Sequence, residues 1–218
     1  MAEFSPKFKE ALSLVQKPGR YTGGEPGCVY KDKSRVDVRM AFCFPDTYEI
    51  GMSFLGEKIL YDILNRHENW WCERAFMPWT DMKEQMERLD IPLYCLESKD
   101  PLTDFDIIGF SLEYELAYTN VLAMLRLSGI PLRAADRDER WPLIISGGPA
   151  SATPSRWRIS STSCSWARVN RCSRTSALQS SGAKSRLEQR TAAFGTRQNS
   201  RRLRAVLLRC DLQGGWPH

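Results

Sequence analysis

The chain has 218 residues, of which 42% are hydrophobic and 26% are charged, and its formal net charge is +5. This length predicts one domain or one and a half, with enough chain to bury a core. No window approaches the roughly 18 apolar residues of a membrane span, and the N-terminus M-A-E-F-S-P-K-F-K lacks the apolar core of a signal peptide, so we expect a cytoplasmic protein without a membrane partner.

Hydrophobic periodicity divides the first 150 residues into alternating strands and helices. The strands are predicted at 36–44, 70–77, 91–96, 106–112 and 143–146. Helices are predicted at 4–15, from the N-cap Ser53 to Leu64, at 79–89 and at 116–128. The Gly/Pro-rich stretch 17–25 is typical of an ordered loop. This alternation predicts an α/β fold in which helices flank a mostly parallel sheet.

Three of the predicted helices have an apolar face that we expect to be buried. In the helix after Ser53 this face is formed by Phe54, Leu55, Ile59, Leu60, Ile63 and Leu64. In the next helix the inward residues are Met82, Met86 and Leu89, and in the last they are Leu122, Met124 and Leu125. Gly129 suits the position just past the end of that last helix, and Pro131 prevents the helix from continuing.

Three loops follow the first, fourth and fifth predicted strands, and they are the first candidates for a binding site. They span 45–53, 111–115 and 146–149. Because parallel strands end at the same edge of a sheet, we expect these loops to converge. Glycine there permits close backbone approach of a ligand, and Ser, Thr, Tyr and Glu offer hydrogen bonds. For each loop taken alone an ordinary turn is the favoured interpretation, and the chemistry of the three loops together favours a binding site. The candidate binding residues in and beside these loops are Pro45, Asp46, Tyr48, Gly51, Met52, Ser53, Gly56, Ser111, Glu113, Tyr114, Glu115, Gly147, Gly148 and Pro149.

Other sites receive little support from the sequence. Neither G-x-G-x-x-G nor G-x-x-x-x-G-K-[ST] occurs, which disfavours dinucleotides and nucleoside triphosphates. The seven cysteines are irregularly spaced, with no C-x-x-C and no C-x₃-C-x₂-C, which disfavours disulfides, zinc and an iron–sulfur cluster.

The two histidines, His67 and His218, form no catalytic constellation, and we expect His67 to be a solvated residue at a helix end. We therefore predict no catalytic residue and no metal ligand.

Several long motifs resemble one family when they are taken in order. They are K-P-G-R-Y-T-G-G-E (17–25), F-P-D-T-Y-E-I-G-M-S-F-L-G (44–56), C-E-R-A-F-M-P-W-T-D-M (72–82), D-F-D-I-I-G-F-S-L-E-Y-E-L-A-Y-T-N (104–120), S-G-I-P-L-R-A-A-D-R (128–137) and G-G-P (147–149). Over about residues 15–150 the chain is similar to large bacterial radical SAM proteins with an N-terminal Rossmann-like domain of the B12-binding type.

The resemblance implies a cobalamin-binding-like module that precedes a radical SAM barrel holding a [4Fe–4S] cluster and S-adenosylmethionine. It therefore implies that the candidate residues bind a corrinoid or another small ligand. Two features of the family are missing here. Without D-x-H-x-x-G a bound cobalamin would lack a histidine on cobalt, and without the cluster cysteines this chain would be inactive alone.

Beyond residue 150 the composition changes abruptly. Residues 1–150 carry 18 Lys and Arg against 24 Asp and Glu, whereas residues 151–218 carry 13 against 2. Twelve of those 13 basic residues are arginines, and 12 of the 68 residues are serines. Such a composition is typical of GC-rich coding DNA read in a wrong frame, and one choice of codons for 153–170 yields N-P-E-P-L-A-D-F-L-D-V-V-L-L-G-E-G-E in the neighbouring frame. The alternative is a genuine disordered basic tail that binds nucleic acid.

The predicted organisation has three parts: an N-terminal helix and lead-in (1–35), an incomplete B12-binding-like domain (36–150) and an Arg/Ser-rich tail (151–218). Three functional classes remain open for it. The chain is the cofactor-binding part of a radical SAM enzyme, or a binding module without chemistry of its own, or a truncated fragment without independent function.

Overall fold

The computed structural model describes residues 4–138 and 140–152. The α-helices are α1 (Pro6–Ser13), α2 (Gly19–Thr22), α3 (Tyr48–Ser53), α4 (Leu55–Asn65), α5 (Thr80–Leu89) and α6 (Ala117–Leu127). The strands are β1 (Val38–Phe44), β2 (Trp70–Phe76), β3 (Ile107–Ser111) and β4 (Leu143–Gly147). Short 3₁₀ turns lie at Lys33–Arg35, Leu102–Asp104, Ala134–Asp136 and Pro149–Ala152.

The four strands form one sheet in the order β2-β1-β3-β4, and every pairing is parallel. This confirms the predicted α/β fold. β1 and β3 are adjacent, with Met40 beside Ile107 and Cys43 beside Phe110. Strands buried on both faces need continuous apolar sequence, and β1 (V-R-M-A-F-C-F) satisfies this need apart from Arg39. This apolar strand lies inside the sheet, between β2 and β3.

Helices α5 and α6 supply much of the main hydrophobic core. Met82, Met86, Met124 and Leu125 are fully buried, as predicted, in one cluster with apolar residues of all four strands. Residue Gly129 has φ 67°, the left-handed conformation that ends a helix, and this confirms its predicted position after α6. The prediction for Leu122 was wrong, because its side chain is 36% exposed.

The segment after β1 differs from the prediction of a loop followed by an N-cap at Ser53. Residues Tyr48–Ser53 form the short helix α3, and the Ser53 hydroxyl donates to the Ile50 carbonyl at 2.8 Å near the end of that helix. Phe54, in an extended conformation, is the residue before α4. The helix packs tightly, since a Cβ on Gly51 would lie 2.2 Å from the Phe76 ring. The chain therefore forms a helix, packed on β2 through Gly51, where the sequence predicted a loop.

The buried face of α4 also differs from the predicted one. Leu55 and Ile59 are 67% and 50% exposed, whereas Glu57, Tyr61 and Asn65 are buried. Polar contacts set this rotation: the Asn65 carboxamide exchanges two hydrogen bonds of 3.0 Å with the Cys72 backbone, and the Tyr61 ring stacks on a guanidinium of β2. A count of apolar residues could not include these contacts.

The predicted strand at 91–96 is not a strand. Its residues Leu93–Leu96 are buried, but the segment has a single antiparallel bridge, between Tyr94 and Pro101. It donates individual hydrogen bonds instead, such as Leu96 N–H to the Arg74 carbonyl at 2.7 Å. The apolar composition of this segment therefore predicted its burial correctly, but the prediction that it pairs with the sheet as a strand was wrong.

The N-terminal helix is shorter than predicted, and its first turn is capped by the Ser5 hydroxyl, which accepts from Phe8 N–H at 3.3 Å. Within the predicted loop at 17–25 the chain forms the one-turn helix α2. The predicted basic tail, from residue 153 onward, lies outside the described residues. Within residues 4–138 and 140–152, no helix is long and apolar enough to cross a membrane.

Candidate functional site at the carboxyl edge of the sheet

The strand order creates a topological switch point between β1 and β3. The chain passes from β1 to β2 on one side of the sheet, and then returns past β1 to reach β3 on the other side. Connections that leave two neighbouring strands in opposite directions open a crevice at their carboxyl ends, where ligands of open α/β sheets bind. The loops after Phe44 and after Ser111 flank this crevice. The structure therefore puts two of the three predicted loops at the switch point.

These two loops are connected by side chains. The Tyr114 hydroxyl donates a short hydrogen bond to the Asp46 carboxylate. That bond, followed by partial burial, raises the pKa of Tyr114 to about 12. On the same side the Asn120 carboxamide donates to the Pro45 carbonyl at 2.9 Å. The crevice is thus spanned by polar groups that a ligand would have to meet or displace.

The third loop, after β4, packs on the β3 loop through the backbone. Leu112 N–H donates to the Gly147 carbonyl at 2.6 Å, and Ala150 N–H donates back to the Leu112 carbonyl at 3.1 Å. The Tyr118 hydroxyl of α6 also donates to the Ala150 carbonyl, at 2.5 Å. All three predicted loops therefore form one continuous edge.

Two of the candidate glycines have packing roles in this edge. Gly148 has φ 103°, and a Cβ there would lie 2.4 Å from the Leu112 carbonyl oxygen. Gly51 faces the Phe76 ring in the same way. Neighbouring groups of the same chain leave no room for a side chain at either position, so both glycines are explained without a ligand.

The remaining candidate residues divide into exposed and inward-facing groups. Glu115 and Pro149 are exposed, while Glu113 is partly buried and accepts from the Ser111 hydroxyl at 2.8 Å. Tyr48 packs edge-on against Phe76, with 5.6 Å between the ring centroids. Burial, and then the nearby Glu25, raise the pKa of Tyr48 to about 12. The candidate Met52 points toward Arg74, whose Nη1 lies 3.2 Å from the thioether sulfur, and Gly56 packs against the Phe54 ring.

A small cavity opens on the β2 side of this edge, and aromatic and aliphatic side chains form most of its wall. Its lining residues are Arg20, Tyr21, Thr47, Tyr48, Phe76, Met77, Pro78, Trp79, Met86, Leu93, Tyr94 and Leu96. The Arg20 guanidinium bonds to Glu49 at 2.7 Å and lies 5.5 Å from the centre of the half-exposed Trp79 ring.

Sequence reasoning assigned no role to Arg20, Trp79, Tyr118 or Asn120, although each lies in a motif quoted above. Their proximity to the loops arises from chain segments that are distant in sequence. The sequence signal that could have identified this region is the Gly-rich stretch around Arg20 and Tyr21. A loop that only connects two elements does not require glycines together with an adjacent Arg and Tyr.

The described residues do not form a site for a metal or an iron–sulfur cluster. Among residues 4–138 and 140–152, no three His, Cys, Asp or Glu side chains are arranged to hold a metal. Three of the four described cysteines, Cys43, Cys72 and Cys95, are buried as free thiols. His67 lies between α4 and the amino end of β2, with its ring centroid 5.0 Å from that of Trp70. It is therefore at the opposite edge of the sheet from the three loops.

Comparison with known proteins gave one match. No curated protein and no solved structure matches the chain. Residues 56–158 match the family model described as "Radical SAM proteins, N-terminal". The matched stretch includes α4, β2 and α5, and all of β3, α6 and β4 with the loops that follow β3 and β4. Over just under half of its length, the chain is therefore similar to the N-terminal domain described for radical SAM proteins.

Proposed function

We propose that this chain is the cofactor-binding part of a radical SAM protein and that its ligand is a corrinoid. The observation that carries the proposal is the family match over residues 56–158 together with a parallel sheet whose switch point lies beside the matched loops. The family match supports the radical SAM assignment. The fold supports ligand binding at the carboxyl edge, because that edge is where α/β sheets bind small molecules.

The ligand would lie against the loops after β1, β3 and β4. Polar groups at the crevice, Asp46, Tyr114 and Asn120, are positioned to donate to or accept from the amide groups at the periphery of a corrinoid. Since His67 lies at the opposite edge, a corrinoid bound here would have no axial ligand from any histidine of the described residues. We therefore expect cobalamin to bind base-off without histidine on cobalt.

Radical chemistry would belong to another domain. The cluster and S-adenosylmethionine of this family require a cysteine triplet, and the printed sequence contains no C-x₃-C-x₂-C. Residues 4–138 and 140–152 offer no alternative metal site. We propose that this chain binds the ligand but catalyses nothing alone.

Retention of hydroxocobalamin by the full chain tests the ligand. The protein is incubated with hydroxocobalamin and desalted, and its visible spectrum is recorded. We expect retained corrinoid with a base-off spectrum, and we expect Asn120→Ala, which removes a crevice donor, to retain less than Leu132→Ala, a control on an exposed residue away from the loops. No retained corrinoid, or a spectrum of histidine ligation, would contradict the proposal.

We also propose that the reading frame shifts near Thr153. The support is the abrupt loss of acidic residues and lysine after residue 150, and the family match ends soon after, at residue 158. The nucleotide sequence from codon 148 onward tests this directly. A C-x₃-C-x₂-C triplet encoded in another frame downstream is the expected result, whereas its absence from every frame would favour a genuine basic tail.

A further inference from the structure

One buried acid, Glu57, differs from the other buried carboxylates. Its exposed fraction is 1%, and neither of its carboxyl oxygens has a hydrogen-bond partner among residues 4–138 and 140–152. By contrast, Glu73 accepts from Arg39 at 2.6 Å and Glu97 accepts from Arg74 at 2.7 and 2.8 Å. An unpaired buried carboxylate is costly, so a neutral acid is the form that this position favours.

Glu57 lies directly beneath α3. Its Oε2 would be 3.3 Å from a Cβ built on Gly51, so the carboxyl group contacts the inner side of that helix. Four charged or titratable groups face it from the neighbouring strands and from the segment after α5: Arg74, Cys43, Cys72 and Glu97. On α4 itself the nearby charge is Lys58. Burial raises the pKa of Glu57 well above the ordinary 4.5, Arg74 and Lys58 oppose this rise, and Glu97 adds to it.

Nη1 of the Arg74 guanidinium is held by a weak acceptor, the Met52 thioether at 3.2 Å. By contrast, Nε donates to Glu97 at 2.8 Å, and Nη2 donates to the Cys28 thiol at 3.0 Å and forms an ion pair with the Glu25 carboxylate at 3.6 Å. Sulfur is a poor acceptor compared with a carboxylate. Met52 is on α3, so the contact that Arg74 makes through Nη1 is also one that holds α3 down.

Helix α3 packs on Phe76 through Tyr48 and Gly51, but it is short and its N-terminus is weakly capped. It has six residues, its N-cap Thr47 makes no side-chain capping bond, and Ile50 is 48% exposed. Short, weakly capped segments open at lower free energy than the core does. A change in the charge beneath α3 therefore acts on a short element whose opening costs less free energy than that of the core.

We propose that Glu57 and Arg74 form a proton-dependent latch on α3. While Glu57 is protonated, Met52 keeps Nη1 of Arg74 and α3 packs on the sheet. When Glu57 releases its proton to solvent, the carboxylate takes Nη1 from Met52 and α3 opens. The latch itself does not depend on ligand binding. However, α3 carries four of the candidate binding residues, so access to the proposed ligand site would increase with pH. These residues are Tyr48, Gly51, Met52 and Ser53.

Hydrogen exchange of the ligand-free full chain tests the latch. The amides of Gly51 and Phe54, which donate to Thr47 and Gly51 at 3.0 and 2.9 Å, report the opening of α3. Exchange is followed by mass spectrometry at several pH values, and every rate is divided by that of Glu57→Gln at the same pH, so that the intrinsic pH dependence cancels. We expect the ratio to rise by up to about tenfold per pH unit between the ordinary pKa of a carboxyl group and that of buried Glu57.

Three comparisons complete the experiment. Glu87→Gln, which changes an exposed acid on α5, should exchange at α3 as the unmodified protein does. Met52→Leu, which removes the sulfur acceptor but keeps an apolar side chain, should exchange faster than the unmodified protein at low pH and should lose most of the pH dependence, because no contact with Nη1 of Arg74 is left to release. If Glu57→Gln does not fold, Glu57→Leu replaces it as the reference. The second readout is then the infrared band of a protonated carboxylic acid in the unmodified protein, recorded at pH values above the ordinary carboxyl pKa of 4.5. An α3 ratio that stays constant with pH, or the absence of that band, would overturn the proposal.

Discussion

Tyr114, in the loop after β3, donates a hydrogen bond to Asp46, in the loop after β1, and so connects the two sides of the switch-point crevice. Both residues lie in motifs that the sequence singled out, but 68 positions separate them. Their pairing gives the candidate site a defined polar boundary and a measurable electrostatic signature.

Replacing Asp46 by asparagine should lower the pKa of Tyr114. The carboxylate stabilises the protonated phenol by accepting its hydrogen and repelling the phenolate charge, which raises the pKa to about 12 from the ordinary 10.0. In the Asp46→Asn variant, Tyr114 should therefore titrate closer to 10.0, as followed by NMR of ring-labelled tyrosine. Glu113→Gln is the matched control, since Glu113 accepts from Ser111 instead. An unchanged pKa in the Asp46→Asn variant would show that the bond does not form in solution.

Gly148→Ala should destabilise the chain. The position combines φ 103° with a Cβ that would lie 2.4 Å from the Leu112 carbonyl oxygen, so both backbone strain and a steric clash result. We expect a loss of about 1–3 kcal/mol in the free energy of unfolding, measured by urea denaturation. Gly19→Ala is the control because a Cβ there meets nothing within 4 Å and its φ is not positive. Equal midpoints for the two variants would contradict this account of Gly148.

Glu57→Gln should stabilise the protein at neutral pH. Because the pKa of Glu57 is raised in the folded state, the folded protein binds the proton more tightly than the unfolded chain does. That stabilisation is complete below the ordinary pKa of 4.5, and it is lost as pH rises from there through the raised pKa. Glutamine has no carboxyl proton to lose, so the Glu57→Gln variant does not lose stability in this way as the pH rises. Its melting temperature should therefore exceed that of the unmodified protein by a few degrees at neutral pH. The difference should shrink below the ordinary carboxyl pKa, and a difference that is independent of pH would exclude the titration of Glu57 as its cause.

Breaking the buried ion pair between Arg39 and Glu73 should cost more than replacing both partners. Glu73 is fully buried and accepts from Arg39 Nη2 at 2.6 Å and from Ser98 N–H at 2.8 Å. Arg39→Met leaves that carboxylate without its cation, which costs about 3–5 kcal/mol in typical buried pairs. The double variant Arg39→Met, Glu73→Leu should recover part of this loss in denaturant unfolding. Strictly additive effects of the two substitutions would show that the pair contributes no coupling energy.

Local patterns in the sequence were enough to predict the class of the fold and most of its elements. Runs such as V-R-M-A-F-C-F around Arg39 and D-I-I-G-F-S-L around Gly109 are apolar on both faces, which only a buried parallel strand requires. Helical spacing of Met82 and Met86, and the glycine after α6, likewise depend on local chain geometry. Those features could be predicted because the hydrophobic effect and backbone sterics act over a few neighbouring residues.

Contacts between distant segments, by contrast, fix the rotation of α4, the helix at Tyr48–Ser53 and the geometry of the candidate site. The hydrogen bonds of Asn65 with Cys72 turn α4 so that Leu55 faces solvent and Glu57 faces the sheet, and no local periodicity reports them. The bond between Tyr114 and Asp46 exists because β3 returns to lie beside β1. Long-range pairing selects these arrangements, since their energies depend on groups that meet only once the sheet has formed.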